Sequence, residues 1–248
     1  MFTVEFRDRV RDHVLALADA DPRVVAGATV GSLAGEGDLW SDLDLTFGVD
    51  GSVDDVLEEW THDVVQAFDA AVLFDLPSGP SIYRVLLLPG CLQVDLSFTP
   101  ANEFGARGPK FSLLFGEAVE LPRTPPTEPR EIFGYAVHHA VRARYCIERG
   151  RLWQAEFWIS GVRTDALELA CLRHGVEADF GRGRDRLPPG VLEPFEAALV
   201  RSIDREEVLR AWRGAVEVLL GEAGQAPELS AQVEPMLREL LSSDERPS

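Results

Sequence analysis

Residues 24–47 constrain the fold more than any other part of the chain. Val24-Val25-Ala26-Gly27-Ala28-Thr29-Val30 is an apolar run that reads as a buried strand. It stops at Gly31-Ser32, and a loop with Gly35 and Gly37 follows before a second strand, Ser41-Asp42-Leu43-Asp44-Leu45-Thr46-Phe47. Successive side chains of a strand point to opposite faces, so Asp42 and Asp44 share one face and Leu43 and Leu45 the other. Aspartate is depleted in strands, and two carboxylates side by side on a half-buried one repel each other and lose hydration. A cation between them removes that cost. Hard oxygen ligands of this kind suit magnesium, which takes one or two carboxylates together with substrate phosphates. The plainer reading, two exposed aspartates near a turn, leaves the spacing within an apolar strand unexplained.

The preceding Gly31-Ser32 supplies a second element of chemistry. A glycine turn lets the backbone approach a ligand closely, and a hydroxyl with free amide N–H groups can hold phosphate oxygens. Further on, Cys91-Leu92-Gln93-Val94-Asp95-Leu96-Ser97-Phe98 alternates again and puts Gln93, Asp95 and Ser97 on one face. Asp95 is thus a third carboxylate on a strand.

Strand, Gly31-Ser32, short loop, then Ser41-Asp42-Leu43-Asp44-Leu45 resembles the signature of the DNA polymerase β-like nucleotidyltransferases. Within that superfamily the chain looks most like the small antibiotic nucleotidyltransferases, the aminoglycoside and lincosamide adenylyltransferases. The loop reads Ala-Gly-Glu-Gly-Asp and lacks the arginine often found there in relatives. The resemblance implies a nucleotide-binding α+β domain, two Mg2+ ions held by Asp42, Asp44 and Asp95, and a nucleoside triphosphate, commonly ATP, as substrate. It places Gly31 and Ser32 on the phosphates and gives Asp95 the acceptor proton. Relatives also use an acid of a helical domain as general base, for which Glu156 and Glu168 are the candidates here. Lys110 is a candidate for neutralising triphosphate charge.

Composition narrows the partners. The chain has 248 residues with 24 basic and 42 acidic side chains, a formal charge of −18. Such a balance argues against coating nucleic acid, which relies on basic patches, and it attracts a cationic small molecule. Cys91, Cys146 and Cys171 are far apart, odd in number and set among apolar neighbours, so reduced, buried thiols in a cytoplasmic protein are expected. No apolar signal core opens the chain, and no apolar run approaches the ~18 residues that span a membrane.

The expected class is α+β. A mixed sheet with flanking helices occupies 1–122, and a helical bundle for acceptor binding or dimerisation occupies 130–248. Helices are expected over about 3–20 and 53–68, and strands over 71–76 and 82–88. A loop with a short strand follows in 101–122, then a linker from Pro122 to Pro129. Beyond it, helices are expected over 130–148, 152–172, 192–203, 205–220 and 229–241, with a loop over 177–190 and a frayed end over 242–248. His138-His139 lacks the intervening glutamate of a zinc protease and reads as a surface or core pair. Gly35-Glu36-Gly37 and Gly181-Arg182-Gly183 lack the third glycine of a dinucleotide fingerprint. Arg182, Arg184 and Arg186 read as a solvated loop. Trp153, Phe157 and Trp158 fit an acceptor surface or a hydrophobic core. The implied reaction is nucleotidyl transfer to a hydroxyl of a small molecule, with pyrophosphate released and a homodimer among the assemblies that relatives form. The rival readings are a toxin-type enzyme that modifies protein or RNA and a non-catalytic nucleotide-binding module.

Overall fold

The computed structural model describes residues 1–35, 37–108, 110–122 and 127–243. The chain divides into two compact units, Met1–Pro125 and Pro126–Ser248. The division falls inside the proline-rich stretch read as a linker, of which 123–126 lie outside the described residues, as do Glu36 and the end of the chain from 244.

The first unit is a six-stranded mixed sheet with helices α1 (Val4–Ala20) and α2 (Val53–Phe68). Its strands are β1 (Val24–Val30), β2 (Leu43–Val49), β3 (Ala71–Ser78), β4 (Ser81–Leu88), β5 (Leu92–Pro100) and β6 (Phe111–Phe115). Their order across the sheet is β3-β4-β5-β2-β1-β6. Only β2 and β5 run parallel; every other neighbouring pair is antiparallel. A parallel pair needs a crossover, and α2 lies in the chain between these two. Thr3 caps α1 by accepting from the Phe6 amide at 3.2 Å, and Ser52 caps α2 by accepting from the Asp55 amide at 3.3 Å.

Both helices pack on one face of the sheet. Val10 and Val14 of α1 and Val56, Trp60 and Val64 of α2 share a buried core with Leu43, Leu45, Phe47, Leu96 and Phe98. Phe47, Trp60 and Phe98 meet with ring centroids 5.0, 5.4 and 5.7 Å apart. Alternation then sends Asp44, Thr46, Asp95 and Ser97 to the opposite face. There Ser97 donates to Thr46 Oγ1 at 2.7 Å, which satisfies two buried hydroxyls in one bond.

The second unit consists of α3 (Pro129–Glu148), α4 (Leu152–Arg173), α5 (Pro189–Ala197), α6 (Arg205–Gly221) and α7 (Pro227–Ser242), with short 3₁₀ turns among them. Alanines at 136, 140, 143, 155, 166 and 215 let the helices approach closely around the fully buried Trp212. The Trp212 indole donates to the Ala140 carbonyl at 2.8 Å, and Arg144 stands 5.2 Å from the ring centre. No helix among the described residues is long and apolar enough to cross a membrane.

Several expectations need correction. β2 begins at Leu43, so Asp42 is the last residue of the preceding loop and not a strand residue. α5 covers Pro189–Ala197 where a helix over 192–203 was expected, because Pro189 at its first turn has φ already fixed for a helical start. Cys91 is exposed in the Pro89–Cys91 corner between β4 and β5, whereas Cys146 and Cys171 are buried as expected. β3 runs to Ser78, two residues beyond the strand expected over 71–76, and its apolar residues are exposed at the edge of the sheet.

Replacing Trp212 by alanine removes the largest side chain of the second core together with its indole hydrogen bond to the Ala140 carbonyl. Chemical denaturation of Trp212→Ala should show a loss of about 3–5 kcal/mol.

Candidate active site

The parallel pairing of β2 and β5 sets Asp44 directly opposite Asp95. Asp42, one residue outside the ladder, stands close enough for its charge to act on Asp95. Burial first, then the Asp42 carboxylate, push the Asp95 pKa up from its ordinary value; hydrogen bonding with Gln93 and with Asp44 pulls it part of the way back. Gln93 Nε2 donates to Asp95 Oδ1 at 3.0 Å. The register therefore brings Asp95 to Asp44 from about fifty residues away in the sequence, with Asp42 next to the pair. Among the described residues, however, no three His, Cys, Asp or Glu side chains are gathered as ligands around a single point. Repulsion between like charges favours that looser arrangement, and one oxygen of Asp95 is turned toward Gln93.

The Gly31 turn packs on the same group. Gly31 ends β1 with φ of +68°, and a Cβ built there would lie 2.2 Å from Asp44 Oδ2. Glycine is required twice over, by the left-handed backbone and by the carboxylate. Ser32 follows in a 3₁₀ turn, Gly31–Ala34, and its Oγ is buried without a hydrogen-bond partner. A buried hydroxyl with no partner is costly and rare. At the far edge of β1, Phe111 of β6 pairs with Val30. Lys110, the one lysine of the chain, immediately precedes Phe111 and so stands beside the same turn.

Sequence reasoning missed Arg7. It is 6% exposed and occupies the buried stripe of α1 with Val10, Val14 and Ala18. Its Nη1 donates to the carbonyls of Asp38 and Ser41 at 2.7 and 2.8 Å, across the turn that leads into Asp42. The signal was present: an arginine at position 7 takes a slot of the stripe at helical spacing that apolar residues fill elsewhere.

The candidates of the helical unit lie on α4. Glu156 is half-buried and acts electrostatically on Arg163. Burial, helped by Asp165 and Asp179, pushes Glu168 upward. Asp165, not singled out from the sequence, is also pushed up by burial, against the pull of His139, whose Nδ1 lies 2.9 Å from its Oδ2. The histidine pair is thus one exposed residue, His138, and one ion-pair partner, His139. Trp153 and Phe157 are exposed and do not belong to the core, whereas Trp158 is half-buried and packs against His139. In the arginine loop, Arg182 pairs with Glu177 at 3.1 Å, and Arg184 carries a buried Nε without a partner.

A mixed sheet covered by helices on one face, with acids from two parallel strands and a glycine–serine turn on the other, and a separate helical unit after it, defines an α+β protein. No protein-family model matches the chain, and no curated protein matches it. Among solved structures, an aminoglycoside 6-adenyltransferase from Bacillus subtilis is similar over 94% of this chain and 98% of that one, at 12% identity and a TM-score of 0.38. Likeness at that level assigns no residue and no substrate.

Two measurements test this geometry. Gly31→Ala should cost roughly 1–2 kcal/mol for the left-handed backbone alone and more for the collision with Asp44. In a double-mutant cycle, Asp44→Ala should recover part of that loss, with a coupling of about 0.5–3 kcal/mol. Asp95→Asn, in the presence of a chelator, should raise the melting temperature at neutral pH by the equivalent of about 0.5–2 kcal/mol. The sign follows from the raised pKa: ionised Asp95 costs stability above its folded pKa, and protonation relieves that cost as the pH falls. The advantage of the variant should therefore shrink on acidification through that range.

Proposed function

We propose that the chain is a Mg2+-dependent nucleotidyltransferase that moves a nucleoside monophosphate, AMP from ATP, onto a hydroxyl of a small molecule. The observation that carries this reading is the register partnership of Asp44 and Asp95 with Gly31 packed on the Asp44 carboxylate. Carboxylate oxygens on adjoining strands suit a hard divalent cation, and the buried Ser32 Oγ lacks a partner that a phosphate oxygen can supply. The donor chemistry suits the group, and a triphosphate would have to complete a site that the acids of the described residues do not close around one point. Asp42, Asp44 and Asp95 would hold two Mg2+ ions, which when bound supply positive charge to the triphosphate and acidify the acceptor hydroxyl.

In the transfer, the acceptor oxygen forms a bond to the α-phosphorus, and the bond from that phosphorus to the oxygen bridging to the β-phosphate breaks. Pyrophosphate leaves with the electron pair. Ser32 Oγ and the amides of the Gly31 turn bind the phosphates and align the leaving group, since positioning and charge neutralisation carry most of such a reaction. Lys110 adds positive charge beside that turn. Asp95 receives the acceptor proton. The charge of −18 favours a cationic acceptor, and an aminoglycoside or lincosamide antibiotic has the required hydroxyls and amines.

Incubation with Mg2+, each nucleoside triphosphate and a panel of amino-sugar and lincosamide compounds should release pyrophosphate for at least one pair. Asp42→Asn should lower that turnover by on the order of 1,000-fold or more without altering the thermal melt. Full activity in that variant sinks the metal assignment, and a silent panel sinks the antibiotic acceptor.

A further inference from the structure

The three acids are not held alike. Asp44 and Asp95 sit in the β2–β5 ladder, but the pairings of β2 with both β1 and β5 begin after Asp42. What fixes Asp42 is the turn before it. That turn closes on itself: the Asp38 amide donates to Ser41 Oγ at 2.9 Å, and the Ser41 amide donates to the Asp38 carbonyl at 3.3 Å. The Asp38 carboxylate accepts from the Trp40 amide at 2.9 Å and from Ser41 Oγ at 3.2 Å. From below, the Arg7 guanidinium spans it, with one nitrogen on the carbonyls of Asp38 and Ser41.

Arginine is an expensive way to fill that slot. A buried guanidinium loses its hydration, and here its Nε is left without a partner. An apolar side chain would complete the α1 stripe without that penalty, but no apolar side chain can donate to two carbonyls at once. We infer that Arg7 is a positioning residue which holds Asp42 in its place beside Asp44 and Asp95, supplying from α1 the restraint that a strand ladder supplies to the other two. The inference rests on the reading of Asp42 as a metal-holding acid. Arg7 itself acts through the backbone of Ser41 and touches no reacting atom.

The test is Mn2+ binding followed by electron paramagnetic resonance, well below the melting temperature of each variant. Arg7→Met should weaken Mn2+ binding by about 10–100-fold, the range found when groups supporting metal ligands are removed. Arg7→Lys, with one ammonium in place of the fork, should fall between Arg7→Met and the unmodified protein. Asp38→Ala opens the same turn from its exposed side and should weaken binding in the same direction; it carries the test if Arg7→Met does not fold. Unchanged Mn2+ affinity in Arg7→Met or in Asp38→Ala, whatever the melting temperature, overturns the inference and assigns Arg7 to packing. Asp42→Asn serves as the reference. If it loses Mn2+ while the Arg7 and Asp38 variants do not, only the positioning role fails. If it keeps Mn2+, the metal reading fails and the positioning role falls with it.

Discussion

The site depends on one pairing, the parallel ladder between β2 and β5. Because the two strands run in the same direction in fixed register, Asp44 and Asp95 meet across a single rung, and a slip of one residue would turn one of them toward the helices. The hydrophobic rows opposite them enforce the register. Leu43, Leu45 and Phe47 on β2, and Val94, Leu96 and Phe98 on β5, are buried under α1 and α2. The same burial that stabilises the sheet therefore compels the acids to the other face. Electrostatics alone would separate them; the ladder and the apolar core keep them together.

Local conflict of this kind gathers around the acids, though Arg144, Trp158, Arg163 and Arg184 of the helical unit also keep buried polar atoms without partners. Asp95 is held above its ordinary pKa by burial and by Asp42, Gly31 takes a backbone conformation closed to most residues, and Ser32 keeps a buried hydroxyl without a partner. The Arg7 guanidinium, buried between two carbonyls, belongs to the same set. Each is a departure from the rule that local preferences agree with the fold, and such departures cluster at functional sites. They are compensated elsewhere, by the Phe47–Trp60–Phe98 cluster in one core and by the alanine-lined packing around Trp212 in the other.

Much of this was legible in the sequence for a definite reason. Period-two alternation through Leu43–Phe47 and Leu92–Phe98 identified both strands and the face on which their acids lie, and apolar spacing with helix-breaking glycines and prolines identified α1, α2 and the long helices α3, α4 and α6. What the sequence left hidden was set by tertiary context. Nothing local says that β2 starts one residue after Asp42, because the first rung is decided by β5. Arg7 reads as an ordinary surface charge until the stripe it interrupts is followed to the loop above it. Asp165 acquires its raised pKa from burial, against the pull of His139 on a helix that precedes it. The exposure of Cys91, Trp153 and Phe157 was likewise out of reach, since an apolar side chain on a turn or an uncovered helix face has the same local pattern as a buried one.

The placement of Lys110 has a practical consequence. Since every other cationic side chain is arginine or histidine, the protein offers an amine-selective acylating reagent one ε-amino group, next to the backbone corner at Gly31. A fluorophore or crosslinker attached there reports from the edge of the carboxylate face, without any cysteine needing to be engineered.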